Sequence, residues 1–105
     1  MVDKHTPHYS LEEIKNAFGD PENLERITGS ARDGARALRL SDEDIVNVVQ
    51  SLSIRDFRKS MTSYKDHTIW QDVYHPFYKG IELYVKFTRD EDDQYYLLIS
   101  FKSRL

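Results

Sequence analysis

The stretch IELYVKFTRDEDDQYYLLISFK, Ile81 to Lys102, decides the architecture. In its first half Ile81, Leu83, Val85 and Phe87 alternate with Glu82, Tyr84, Lys86 and Thr88; in its second half Tyr95, Leu97, Ile99 and Phe101 alternate with Gln94, Tyr96, Leu98, Ser100 and Lys102. A period of two belongs to a strand with one apolar face, and the acidic DEDD between the halves is a solvated turn, so an antiparallel hairpin is predicted. Both apolar sets must face one core, and a one-residue slip would reverse one of them, so paired positions should sum to an even number. Pairing residue 90 with 94 sets Tyr84 opposite Ser100 and Glu82 opposite Lys102. Tyr84 and Lys102 are then diagonal neighbours, roughly 7 Å apart, on the face turned away from the core.

Upstream the period changes. Ser10-Leu-Glu-Glu13 is a capping box, followed at helical spacing by Leu11, Ile14, Ala17 and Phe18 until Gly19 and Pro21 stop the run. Ser30 to Asp33 repeats the cap pattern ahead of Ala35, Ala37 and Leu38, with Gly34 counting against a helix there. Ser41-Asp-Glu-Asp44 sets a capping hydroxyl and three carboxylates at the positive end of a helix dipole, and Ile45, Val46, Val48, Val49 and Leu52 supply its apolar face, predicting a helix over about 42–52. Ser53 to Phe57 reads as one more helical turn, and RKSMTSY after it suits an extended strand. The chain thus changes from α to β near residue 58, an α+β pattern in a single domain spanning 1–105.

Composition narrows the function classes. With 105 residues the chain can bury one modest core, and 39% apolar with 12% aromatic residues is not the signature of disorder. No apolar run approaches the roughly 20 residues that span a bilayer, and the N-terminus carries no hydrophobic stretch before a cleavage site. There are no cysteines, hence no disulfide and no thiolate metal site, and a cytoplasmic location is the expectation. The formal charge of −3 hides a pattern: residues 51–89 carry 7 basic and 4 acidic side chains, with acid on either side. A local field, rather than net charge, attracts a phosphate chain.

The histidines, 4 in number, do not form a ligand pattern: His5 and His8 lie in a Pro-containing terminal segment and no HExxH is present, so no metal site and no cofactor are expected. There is no serine-nucleophile elbow and no glycine-rich phosphate loop. What remains is lysine, tyrosine, glutamine and histidine, a set that suits RNA cleavage, where the substrate's own 2′-hydroxyl is the nucleophile. The protein need only move protons and stabilise charge on phosphorus. Trp70, Tyr64 or Tyr74 could stack a base, although Trp70 serves equally well as a core anchor.

Much of this chemistry sits in KSMTSYKDHTIWQDVYHP, Lys59 to Pro76. This stretch closely resembles the MqsR family of bacterial toxins, the motility quorum-sensing regulators, which carry KSMT, a Tyr, DHTIWQDVY and Pro in this order. TPH at Thr6 to His8, LS-x-x-DF at Leu52 to Phe57 and SFK at Ser100 to Lys102 match as well, while residues 19 to 40 match weakly. The resemblance implies a RelE-like α+β fold and a type II toxin that cleaves mRNA, without the ribosome, at GC-containing triplets such as GCU. It implies active-site residues at Lys59, Gln71, Tyr84 and Lys102; beside these, His67, Trp70 and Tyr64 are supporting or substrate-binding candidates on their residue types alone. It also implies a cognate antitoxin with a zinc-binding part and a helix-turn-helix part, through which alone the toxin would meet DNA. The rival expectation is a non-catalytic module that binds RNA or a partner protein. The chain departs from the family pattern at His75 and Phe77, where a basic residue flanks the Pro, at the acidic turn Asp90 to Asp93, and in ending with Arg104-Leu105.

Overall fold

A computed structural model describes residues 3–19, 24–90, 92 and 95–105. Its helices are α1 (Leu11–Ala17), α2 (Gly29–Ala37) and α3 (Asp42–Ser51); its strands are β1 (Asp3–Lys4), β2 (Phe57–Thr62), β3 (Trp70–Tyr74), β4 (Phe77–Tyr78), β5 (Ile81–Asp90) and β6 (Tyr95–Ser103). The strands form one antiparallel sheet in the order β1-β2-β3-β5-β6, with the short β4 also paired to β5. The architecture is α+β. The helices lie against one face: Ile14, Phe18, Ala31, Ala35, Ile45, Val48 and Val49 pack with Tyr74, Leu83, Val85, Phe87, Leu98 and Phe101.

The capping signals place two of the helices. Ser10 Oγ accepts from the Glu13 N–H, and Ser41 with Asp44 closes a reciprocal capping box at α3. The Asp44 carboxylate also accepts from the Tyr78 hydroxyl at 2.7 Å and the Lys79 ammonium at 3.1 Å, so one cap fastens α3 to the β4–β5 turn. The Ser41 N–H first, then these two donors, hold its pKa well below the carboxylate range. Lys79 and Gly80 both take positive φ in that turn, 50° and 79°, as a two-residue hairpin connection requires.

The start of α2 differs from the expectation at Ser30. Thr28 is the N-cap: its Oγ1 accepts from the Ala31 N–H at 3.2 Å while its own N–H donates to the Leu98 carbonyl at 3.1 Å. A tertiary bond to β6 selects the earlier residue. Gly34, which counted against this helix, is required by packing, since a Cβ there would sit 1.9 Å from the Phe101 carbonyl oxygen. Gly34→Ala is therefore expected to destabilise the protein by about 2–3 kcal/mol through overpacking, read as a lowered thermal midpoint. Because Phe101 precedes Lys102, this contact also sets the depth of the strand that carries the lysine.

The hairpin is present, and paired positions sum to an even number at its Tyr84 end, but shifted by two from the expected pairing of Tyr84 with Ser100, and to an odd number toward the tip. Tyr84 pairs directly with Lys102 and Lys86 with Ser100, whereas Phe87 pairs with Leu98 and Asp90 with Tyr95. Ile99 is the extra residue of a β-bulge. Tyr96, Leu98 and Phe101 are buried, so the core face of β6 changes parity at the bulge; Tyr95, Leu97 and Ile99 are only partly buried. Of the acidic turn, Glu91, Asp93 and Gln94 lie outside the described residues, and the Asp92 N–H donates to the Asp90 carboxylate at 2.9 Å.

Candidate active site

Among the described residues the sheet's second face bears no helix, and alternation decides what it displays. Lys59 pairs with Val73, Val73 with Lys86, and Lys86 with Ser100, so these residues form one row across β2, β3, β5 and β6. One step along β5 and β6, Tyr84 and Lys102 form the next row, which on the β3 side ends at His75. One step in the other direction, Met61 pairs with Gln71. Thus Lys59, Gln71, Tyr84 and Lys102 all project from one face, in a band. Gln71 is two rows from Tyr84, roughly 13 Å along the strands at the usual rise, so it reaches a different part of a bound chain from the other three.

Electrostatics concentrate around the middle row. Val73 is fully buried although it points away from the helices, and its row neighbours are lysines, whose stems can cover apolar surface. Lys86 was not singled out from the sequence, yet it is half-buried between the other amines. Burial, then the charges of Lys102 and Lys59, push its pKa below that of an ordinary lysine. The ammonium groups of Lys102 and Lys86 stand 5.2 and 5.8 Å from the centre of the Tyr84 ring. Burial raises the Tyr84 pKa, so the phenol keeps its proton at neutral pH and acts as a donor. Lys59 lies 4.0 Å from the Asp3 carboxylate, at the limit of an ion pair.

Beside this band lies a cavity of about 380 Å³ lined by His5, Arg58, Lys59, His75, Tyr84 and Arg104. His75 and Tyr84 meet there, ring centres 5.6 Å apart. In the sequence His75 stood out only as a departure from the family pattern beside Pro76. The signal that could have found it is its two-residue spacing from Val73, which continues the face of Gln71.

The supporting candidates fall elsewhere. Tyr64 and His67 are exposed in the loop between β2 and β3, beyond the Gln71 end of the band. Trp70 is engaged by the protein's own N-terminal segment: His8 stacks on it at 5.0 Å and 15°, and the Lys4 ammonium sits 4.2 Å from its ring centre. Asp72, between Gln71 and Val73, points to the other face and is fully buried. It accepts hydrogen bonds from the His8 N–H (3.0 Å), the Tyr9 N–H (2.9 Å) and the Ser60 hydroxyl (2.6 Å), tying that segment to the sheet. Among the described residues no cluster of three or more His, Asp or Glu side chains is placed to hold a metal ion.

An open sheet face carrying amines, guanidinium groups and a protonated phenol has the chemistry that suits a polyanion such as a phosphodiester chain. The chain belongs to the motility quorum-sensing regulator family, described as the toxin of MqsA, whose pattern matches residues 6–103. It is 41% identical over 103 residues to the mRNA interferase toxin MqsR of Escherichia coli (strain K12), an alignment covering 98% of this chain and 100% of the relative.

Proposed function

We propose that this protein is an mRNA interferase toxin: an endoribonuclease that cuts messenger RNA without the ribosome or a metal, at GC-containing triplets such as GCU. The observation that supports this reading is the gathering of Lys86 and Lys102 beside the Tyr84 phenol, with Lys59 in the same cavity wall as Tyr84, on a face without helices among the described residues, in a chain of this family. Lys59 and Lys102 stabilise the charge that builds on the phosphorane-like transition state. Tyr84 donates to the phosphate or the leaving oxygen. Gln71 contacts a base edge or phosphate of a neighbouring nucleotide, and the exposed Tyr64 and His67 extend the substrate path past it. Trp70 supports the scaffold from beneath His8 and Lys4.

The layout of helices on one sheet face is consistent with a RelE-like toxin fold in one domain. We further infer a cognate antitoxin with a zinc-binding part and a helix-turn-helix part, which alone contacts DNA, and a cytoplasmic setting. Among the described residues no helix is long and apolar enough to cross a membrane.

The test is incubation of the purified protein with GCU-containing RNA in the presence of a chelator. Cleavage that leaves 2′,3′-cyclic phosphate and 5′-hydroxyl ends is expected. If the chelator abolishes cleavage, the metal-free mechanism is wrong. Salt-dependent RNA binding with the RNA intact would instead identify a non-catalytic module.

A further inference from the structure

We propose that His75 is the general base of the cleavage reaction, taking the proton of the 2′-hydroxyl through Nδ1; this rests on the ribonuclease reading above. A base needs a free lone pair at neutral pH. Around the cavity, the Arg58 and Arg104 guanidinium groups and the Lys59 ammonium have none, the Tyr84 phenol holds its proton, and among the described residues no carboxylate lines the walls. The two imidazoles are what remain.

Of these, His75 has the better-defined position. Its backbone N–H donates to the Asp56 carbonyl at 2.7 Å, and its ring lies against Tyr84. Its Nε2 is buried with no hydrogen-bond partner among the described residues, which leaves Nδ1 as the nitrogen able to meet a substrate. Charging the ring would put a second N–H on it while Nε2 stays buried and unpaired. It would also set the new charge against Arg58 and Lys59 on β2 and Arg104 after β6. Among the described residues only Glu82 on β5 opposes them, and Arg104 Nε holds that carboxylate at 3.2 Å. Burial first, then Arg104, Arg58 and Lys59, lower the His75 pKa below the ordinary imidazole value, so the ring is neutral at pH 7.

In the step, His75 Nδ1 takes the 2′-hydroxyl proton as the O2′ electron pair forms the O2′–P bond. The P–O5′ bond breaks with its pair passing to O5′, and O5′ takes a proton from an ammonium of the lysine cluster. The products are a 2′,3′-cyclic phosphate and a 5′-hydroxyl; the imidazolium then loses its proton to water and the lysine regains one.

The experiment is single-turnover cleavage of a defined RNA at saturating protein, from pH 5 to 8.5, with the wild type, His75→Gln, His75→Arg and His5→Gln. The wild-type rate should fall on the acid side with the slope of a single proton. His75→Gln should lower the plateau about 10²- to 10³-fold and remove that limb, while a non-cleavable 2′-deoxy analogue still binds within about threefold. His75→Arg keeps a cation and should be as slow as His75→Gln. The proposal is overturned by a wild type with no acid limb, by a limb that survives in His75→Gln and disappears in His5→Gln, or by wild-type rates in His75→Arg, which would assign His75 a charge role. A wild type that cleaves no RNA at any pH removes the ribonuclease reading itself.

Discussion

Lys102→Ala is expected to lower the rate of RNA cleavage about 10²- to 10³-fold while shifting the thermal midpoint by no more than about 3 °C. The side chain is exposed on β6, directly opposite Tyr84, and its ammonium lies over the phenol ring rather than in an ion pair, so little of the fold depends on it. What it provides is fixed positive charge where a pentacoordinate phosphorus would gain negative charge, on a strand whose position needs no rearrangement during reaction. Lys102→Arg should recover only part of the rate, because a planar fork presents its donors differently from a point charge. Initial rates and melting curves measured on the same preparations decide the matter. A midpoint that falls together with the rate would mean that the lysine supports the sheet instead.

Asp72→Ala should cost about 3–5 kcal/mol of folding stability, measured by urea unfolding. The carboxylate is fully buried and serves three donors: two main-chain N–H groups of the N-terminal segment and the Ser60 hydroxyl, itself buried. Alanine strands all of them. Since the same segment carries Lys4 and His8 onto Trp70, the sole tryptophan, its release should also expose the indole and red-shift the native-state fluorescence at low denaturant. Native fluorescence that stays unchanged in a destabilised variant would show that the segment is held by other contacts.

The shared face of Tyr84 and Lys102 was legible from alternation, and Lys86 was readable by the same rule, whereas Lys59 and Gln71 entered only through the family resemblance. The register was not legible. In YYLLISF the residues Tyr95, Leu97 and Ile99 are as apolar as Tyr96 and Leu98, so either parity could have supplied the core, and a bulge used both. His75 was noticed only as a departure from the family pattern and not as a site residue, because it stands before Pro76 at a strand end, where the local pattern indicates a turn; its cavity neighbours Arg58 and Arg104 arrive from β2 and from beyond β6. Asp72 and Trp70 depend on contacts with residues more than 60 positions earlier, and no local pattern encodes those.

Ile99 has a mechanical meaning beyond register. Removing it on paper leaves an unbroken ladder, with Leu98 still facing Phe87 and Ser100 still facing Lys86. The extra residue is thus unnecessary for pairing, and what it adds is local twist together with a carbonyl freed from the ladder, which lies 3.5 Å from the Thr28 hydroxyl at the start of α2. The hairpin thus has a pinned joint in its middle: at the bulge, the Ile99 and Leu98 carbonyls meet the Thr28 hydroxyl and N–H, and this anchor to α2 fixes the end of β6 that carries Lys102.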